Sequence, residues 1–153
     1  MMDHDHQPLH LCTFLLDSHA FAIAVDQVQE VLNPQAMTRV PLAPPVVHGL
    51  INLRGEIVTA VDLRTRLSMP PRPAGKRPMN VVITSGDGPM SLLVDDIGDV
   101  IEVPWESCED PPATLPPTLR DVVVTVCKRP DELLLVIDPA RVAATAFVTS
   151  ARS

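Results

Sequence analysis

Short apolar runs separated by turn residues recur along the chain, and their spacing predicts β-strands. Residues 11–16 are mostly apolar, residues 17–19 are polar, and large apolar side chains then alternate with alanine over residues 21–25. A period of two is typical of a strand that buries one face. The pattern therefore predicts a β-hairpin near the start of the chain.

Similar runs predict further strands and tight connections. The predicted strands cover residues 50–53, 56–61, 81–84, 90–94, 122–127 and 133–137. Arg54 and Gly55 connect the first two of these strands, and Gly55 can supply a positive φ there. Residues 129–131 connect the last two. Gly98 interrupts the apolar stretch that extends to Val103, which predicts a β-bulge.

Capping residues predict a few short helices. Asp62 and Asp138, the second followed by proline, are typical residues at helix starts. Apolar positions at helical spacing predict another short helix over residues 26–32. Proline and then glycine within residues 44–49 predict one further helical turn.

An internal repeat carries more weight than any single element. The pattern Val-Asp-x-aliphatic-x-acid-Val occurs at residues 25–31 and again at 94–100. A strand-to-helix unit that begins with Glu and ends with Asp occurs at 56–62 and again at 132–138, in the same order. We interpret this as two related β-rich halves, each a small barrel, because barrels remove exposed sheet edges. Coincidence between generic strand and cap patterns is the alternative interpretation.

Composition agrees with this fold class. The chain has 153 residues and 17 prolines, and prolines are not tolerated in the long helices of a bundle. The prediction is an all-β fold with a few short helices, in which two SH3-like or OB-like barrel subdomains share one core. The predicted organisation is a flexible tail at 1–10, one domain at 11–144 with halves 11–68 and 79–144 that can be intertwined, a linker at 69–78, and a second tail at 145–153.

Charge and cysteine content exclude several function classes. The net charge is −7, and the one basic run, residues 72–77, is expected to be a solvated linker, so nucleic-acid binding is not predicted. No apolar segment approaches the roughly 18 residues of a membrane span. Three widely spaced cysteines do not indicate a disulfide framework or a zinc site. These features favour a cytoplasmic protein without membrane insertion.

Catalytic motifs are not evident in the sequence. Phosphate-binding glycine loops, metalloprotease motifs and nucleophile elbows are lacking. The carboxylates of residues 95–102 are explained more simply as caps or solvated strand edges, and the histidines of residues 4–10 as part of a frayed tail. We predict no catalytic residue, metal site or cofactor.

Arg54 is the residue that fold alone does not explain. It lies in a tight turn between two apolar strands, and its planar guanidinium suits a carboxylate or a carbonyl pair on a partner. An ordinary solvated surface arginine is the alternative. We expect Glu30, which lies on the predicted helix at 26–32, to form an ion pair that positions Arg54.

At these residues the chain resembles the CheW family of chemotaxis coupling proteins. The most specific block is Gly-x-x-Asn-Leu-Arg-Gly at 49–55, followed by Val-Asp-Leu-Arg at 61–64. The other matching segments are residues 28–31, 38–41, 48–58, 94–100 and 133–138. Together they cover about residues 11–144. The resemblance implies two small β-barrel subdomains on a shared core.

The resemblance also implies a non-enzymatic adaptor. Such a protein links the cytoplasmic tips of chemoreceptors to the regulatory domain of a CheA-type histidine kinase, and it can self-associate in rings. By matched position, the implied receptor-binding residues are Val28, Glu30, Asn52, Arg54 and Val81. The kinase contacts are expected at the barrel ends without assigned residues. A small ligand-binding or hydrolytic barrel protein is the alternative function.

Some positions depart from the family pattern. Thr59 stands where the family often has proline, and Ser91 and Asp121 stand near positions of family glycines. The loop at 104–117 is acidic and rich in proline. The departure at Asp121 makes the implied kinase contacts of the second barrel the least secure part of the resemblance, whereas residues 52–55 are unchanged.

Overall fold

Strands are the predominant regular structure in the computed structural model, which describes residues 7–85 and 88–144. The strands are β1 (Leu9–Leu16), β2 (His19–Ala24), β3 (Val28–Leu32), β4 (Val47–Leu53), β5 (Glu56–Asp62), β6 (Met79–Ser85), β7 (Gly88–Val94), β8 (Asp96–Val103), β9 (Cys108–Glu109), β10 (Val123–Lys128) and β11 (Leu133–Ile137). The helices are α1 (Leu63–Arg66), α2 (Pro117–Arg120) and α3, described over residues 139–144. The predicted fold class, mostly β with short helices, is confirmed.

Two sheets with the same internal order build the fold. One has five strands in the order β3-β6-β7-β5-β4, and the other has six in the order β8-β1-β2-β11-β10-β9. In both sheets the third and fourth strands pair in parallel, and all other neighbours pair antiparallel. The extra strand β9 is the only difference in strand order between them.

The sequence repeat and the strand order agree. Residues 25–31 lead from β2 into the edge strand β3, and residues 94–100 lead from β7 into the edge strand β8. Asp62 ends β5 and Asp138 directly follows β11, each strand belongs to the parallel pair of its sheet, and each aspartate caps a helix. Their Oδ1 atoms accept hydrogen bonds from the backbone N–H of Arg64 (3.1 Å) and of Ala140 (2.9 Å).

Each sheet takes strands from both halves of the chain. Strands β1 and β2 lie in the six-stranded sheet with β8–β11, whereas β6 and β7 lie in the five-stranded sheet with β3–β5. Residues 69–78 therefore separate the two repeats along the sequence, but they do not separate the two sheets in space.

One hydrophobic core lies between the sheets. Phe14 and Phe21 of the six-stranded sheet pack in the same cluster as Val61, Ile83 and Leu92 of the five-stranded sheet, and all five side chains are almost completely buried. Each such side chain contributes roughly 1.5–3 kcal/mol through burial. A smaller cluster around Leu11 and Leu134 lies within the six-stranded sheet. The expectation of a shared core is confirmed.

The predicted helix at 26–32 is wrong, and the predicted helical turn within residues 44–49 is a single turn that ends where a strand begins. Residues 28–32 form strand β3, preceded by a 3-10 turn at Val25–Gln27, because pairing with β6 supplies the backbone hydrogen bonds that a short isolated helix would need to make alone. Residues 44–47 form one turn, in which the Val47 N–H donates to the Pro44 oxygen at 2.9 Å, and strand β4 starts at Val47. A short apolar run does not distinguish the two structures by period alone.

Gly98 lies at a bulge, as predicted. The register between β1 and β8 shifts between Cys12 and Phe14, so that Gly98 and Asp99 both face Thr13. The Thr13 hydroxyl donates a hydrogen bond to the Asp99 carbonyl oxygen at 2.7 Å. A Cβ atom at Gly98 would collide with the Thr13 Oγ1 atom, so a larger residue here would force the Thr13 side chain or the bulge to shift.

The chain after β3 covers the outer edge of β4. Thr38 and Leu50 exchange two backbone hydrogen bonds, of 2.9 and 2.8 Å. A Cβ atom at Gly49 would lie 2.8 Å from the Thr38 oxygen, so glycine permits this close approach. The edge strand β4 is thereby covered by the segment that follows the other edge strand of this sheet, β3. Within residues 7–85 and 88–144, no helix has the length and apolar character needed to cross a membrane.

Candidate functional site

The turn between β4 and β5 presents Arg54 at the end of the five-stranded sheet. Arg54 has a φ of +54° and Gly55 a φ of +87°, the two positive values of a type I′ hairpin turn. The Asn52 side-chain oxygen accepts a hydrogen bond from the Gly55 N–H at 2.8 Å, which supports the turn. A non-glycine residue rarely adopts a positive φ, so the two-residue turn sets the backbone conformation of Arg54 against the usual preference of arginine.

Glu30 holds the guanidinium of Arg54 from the opposite edge of the sheet. Nη1 of Arg54 donates to Oε2 of Glu30 at 2.7 Å, and Nη2 donates to Oε1 at 2.6 Å. The Arg54 side chain remains 69% exposed and that of Glu30 is 21% exposed. The predicted ion pair is confirmed, although Glu30 lies on strand β3 and not on a helix.

The pair also shifts the titration of both groups. The hydrogen bonds from Arg54 lower the pKa of Glu30. The same bonds to Glu30 raise the pKa of Arg54. Both groups are therefore charged at neutral pH, and the arginine stays in one orientation while most of its surface faces solvent.

The remaining predicted site residues differ in their exposure. Asn52 is exposed beside the turn, and Val28 is half-buried against the shared core. Val81 is only 1% exposed and packs inside the core, so its side chain does not contribute to the surface around Arg54. Its position in the middle of an apolar strand with neighbours on both sides explains this burial.

Sequence reasoning missed an exposed apolar residue at the same site. Ile57 is 62% exposed and lies directly opposite Asn52 in the β4–β5 register, so both side chains point from the same face. The alternation of β5 could have revealed it, because Val58 and Ala60 are buried, so Ile57, one position before Val58, faces the opposite side of the strand. The candidate surface therefore combines a fixed charge with an apolar side chain.

A buried ion-pair network near the junction of the two sheets was also missed. Arg64 and Arg72 both donate to the carboxylate of Asp95, which is 6% exposed. Arg72 also contacts Asp62 at 3.4 Å. The expectations of a solvated linker at Arg72 and of a solvated carboxylate at Asp95 are therefore wrong. Charge patterns in the sequence do not show which residues meet across 23 to 31 positions.

The cysteines also differ from the expectation. Cys108 and Cys127 form a disulfide across strands β9 and β10, although 19 positions separate them in sequence. Their spacing gives no signal, because antiparallel pairing through a long connection brings them together. Cys12 is a free, buried thiol, and burial raises its pKa.

Residues 7–85 and 88–144 contain no group of three side chains arranged to hold a metal ion.

Comparisons of the sequence and of the structure with known proteins all point to the same family. The family model of the CheW-like domain matches residues 10–147. The chain is 30% identical to the chemotaxis protein CheW of Bacillus subtilis, over 84% of this chain and 82% of that protein. It is 27% identical to that of Treponema pallidum, over 84% and 78%. The crystal structure of the scaffolding protein CheW from Thermoanaerobacter tengcongensis superposes with a TM-score of 0.80 at 26% identity, over 88% of this chain and 92% of that one.

Proposed function

The chain belongs to the CheW-like family of chemotaxis scaffold proteins, and we propose that it couples chemoreceptors to a CheA-type histidine kinase without being an enzyme. In this role the protein binds the helical tips of receptors and the regulatory domain of the kinase. Because those tips lie in the cytoplasm, the proposal places the protein there as well.

The bidentate pair of Arg54 and Glu30 is the observation that supports this proposal most directly. A guanidinium has five N–H donors, and Glu30 accepts from two nitrogens, Nη1 and Nη2. The other donors remain on a side chain that is 69% exposed and already oriented by Glu30. A pre-oriented arginine loses less conformational entropy on binding than a free one.

Apolar side chains next to this arginine suit a helical partner. Ile57 is exposed beside the turn, and Val28 borders the same end of the sheet as Glu30. Interface energy concentrates in a few residues, and arginine is common among them. We propose that Arg54 binds a carboxylate or carbonyl group of the receptor tip while Ile57 covers an apolar side chain next to it. Asn52 acts by keeping the turn in shape.

Coupling requires that the adaptor distinguishes two signalling states of the receptor. A coupling free energy of about 1–3 kcal/mol is typical for such linkage. One oriented arginine supplies a free-energy difference of this size if the receptor presents the hydrogen-bond acceptor for that arginine in only one of its signalling states. Kinase contacts are proposed at the ends of both barrels, where repeated pairing can also build rings.

Reconstitution with a receptor fragment and a CheA-type kinase tests the proposal. We expect the wild-type protein to retain both partners in a pull-down and to be required for receptor control of kinase activity. We expect Arg54→Ala to lose receptor binding at least tenfold, a cost of about 1.4 kcal/mol, with an unchanged melting temperature.

Arg129→Ala is a matched control, because Arg129 lies in the corresponding turn of the six-stranded sheet. Its receptor affinity is expected to equal that of the wild type. Failure of the wild-type protein to retain either partner would reject the adaptor function. Wild-type affinity in folded Arg54→Ala would reject Arg54 as the anchor and leave the adaptor function to other residues.

A further inference from the structure

The disulfide between Cys108 and Cys127 lies at the outer edge of the six-stranded sheet. The two residues are register partners on β9 and β10, and their Cα atoms are 4.0 Å apart. Cys127 is completely buried, whereas Cys108 is half-buried. Thiol–disulfide exchange needs access to a sulfur atom. Cys108 therefore carries the sulfur that an incoming thiolate can reach.

Strand β9 has few other attachments to the sheet. Beyond the cysteine pair, Glu109 pairs with Val126, and the Glu109 carbonyl oxygen accepts a hydrogen bond from the Thr125 hydroxyl at 2.8 Å. The ion pair of Glu109 with Lys128 is 62% exposed on both sides, and such pairs contribute little. Residues 112–114, which follow in the same connection, are exposed. The disulfide is thus the one covalent attachment of this segment to β10.

The other sheet closes the same edge without a covalent bond. Thr38 lies between β3 and β4 in the chain and covers the edge of β4 through two backbone hydrogen bonds to Leu50. Strand β9 has the corresponding place between β8 and β10 and covers the edge of β10. Because the fold forms this closure through hydrogen bonds in one sheet, we expect it to fold without the disulfide in the other.

The surroundings of both sulfur atoms also suit two thiols. The Cys108 Sγ atom lies 3.8 Å from the Pro104 carbonyl oxygen, which can accept a hydrogen bond from a thiol. Cys127 packs with Leu11, Val103 and Leu134, where a thiol behaves as a small apolar group. Reduction therefore leaves no buried polar group without compensation.

We propose that Cys108 and Cys127 form a reversible thiol–disulfide switch that exchanges with a small thiol, for which glutathione serves as the probe. When the pair is oxidised, β9 is fixed on β10. When it is reduced, β9 leaves the sheet intermittently, residues 110–114 move with it, and the outer edge of β10 is uncovered. An uncovered sheet edge can pair with a strand of another protein. The switch thus controls whether this edge of the sheet is covered.

The exchange is balanced in two steps. A glutathione thiolate attacks the Cys108 sulfur, the protein S–S bond breaks, and Cys127 leaves as a thiolate that takes up a proton. A second glutathione thiolate then attacks the glutathione sulfur of the mixed disulfide and releases Cys108 as a thiolate, which is also protonated. Two glutathione thiols are oxidised to one glutathione disulfide, and the protein disulfide is reduced to two thiols.

This inference goes beyond the proposed function, since no receptor or kinase contact enters it. The full-length protein is equilibrated in buffers with a series of glutathione to glutathione disulfide ratios, and free thiols are alkylated and counted by mass spectrometry. We expect one two-electron transition that involves Cys108 and Cys127. Cys12→Ala, which leaves the pair intact, should show the same transition, and Cys108→Ser should show none. A pair that stays oxidised at every ratio would overturn the proposal.

Hydrogen exchange on the oxidised and reduced forms tests the structural consequence. We expect the amides of residues 108–114 to exchange at least about tenfold faster after reduction, while those of β1 and β2 remain protected. Cys108→Ser should reproduce the reduced pattern in any buffer. Equal exchange in both redox forms, or loss of protection throughout the protein on reduction, would contradict a local switch.

Discussion

The backbone N–H of Asp17 donates a hydrogen bond of 2.7 Å to the buried carboxylate of Asp95, and this contact joins the two sheets. Asp17 lies in the β1–β2 turn of the six-stranded sheet, and Asp95 follows β7 of the five-stranded sheet. The same carboxylate accepts hydrogen bonds from Arg64 Nε at 3.0 Å and from Arg72 Nε at 2.8 Å. One side chain thereby connects helix α1, the proline-rich segment and both sheets.

Replacement of Asp95 should therefore be costly. Asp95→Asn keeps the size of the side chain but leaves Arg64 and Arg72 without a buried anionic partner, and removal of one partner of a buried ion pair costs about 3–5 kcal/mol. We expect the free energy of unfolding, measured in urea, to fall by that amount. Asp96→Asn is the control, because the neighbouring Asp96 pairs with Lys76 at the surface, and a change within about 0.5 kcal/mol is expected. Equal effects of the two substitutions would show that the network does not stabilise the junction.

Asp95 should also make the protein sensitive to acid. Burial pushes the pKa of Asp95 upward, but hydrogen bonds from Arg64, Asp17 and Arg72 outweigh it and leave the pKa well below the ordinary value of 3.8. A carboxyl whose pKa is depressed in the folded state stabilises the protein fully above its unfolded pKa, and this contribution is lost as the pH falls below about 4.

The measurement is the free energy of unfolding between pH 7 and pH 2. We expect wild type to lose more stability below pH 4 than Asp95→Asn, which cannot titrate at this position. Parallel pH profiles of the two proteins would show that Asp95 has an ordinary pKa in the folded protein.

Exchanging the charges of residues 30 and 54 should separate two roles of Arg54, namely contact with the receptor and support of the turn. In Glu30→Arg with Arg54→Glu, the ion pair can form with opposite polarity, but no guanidinium is presented by the turn. We expect this double variant to fold like the wild type and to bind the receptor as poorly as Arg54→Ala. Receptor affinities are measured by titration calorimetry. Wild-type affinity in the double variant would indicate that the pair matters only for the shape of the turn.

Gly98 and Thr13 should show strong coupling. Gly98→Ala places a methyl group against the Thr13 hydroxyl, and such overpacking costs about 1–3 kcal/mol. Thr13→Ala removes the hydrogen bond to the Asp99 oxygen, at a cost of about 1 kcal/mol. We expect the double variant to be less destabilised than the sum of the single variants, as measured by urea unfolding. Additive effects would mean that the bulge relaxes around the new methyl group.

Several features could be predicted from the sequence because they depend on neighbouring residues. The turn at Arg54 and Gly55, the helix caps at Asp62 and Asp138 and the bulge at Gly98 each follow from the conformational limits of a few adjacent residues. The resemblance to a family with a specific motif added the prediction that Arg54 binds a partner. The ion pair between Arg54 and Glu30 could also be predicted, because both residues lie in segments that match the family.

Other features could not be predicted because they depend on contacts between distant segments. The strand at 28–32 forms because β6 supplies its hydrogen bonds, and the burial of Val81 follows from strands that pack on both sides of it. The disulfide of Cys108 with Cys127 depends on how a long connection returns to the sheet.

The sequence by itself determined the period of the strands, the positions of most turns and caps, and the repeat that underlies the two sheets. Only the tertiary structure decided which strands share a sheet, which arginines are buried and which lie free at the surface. The physical reason is the sequence distance over which each interaction acts. Dihedral preferences and capping bonds act over a few residues, whereas strand pairing, desolvation and ion pairing depend on which distant segments pack together and exclude water.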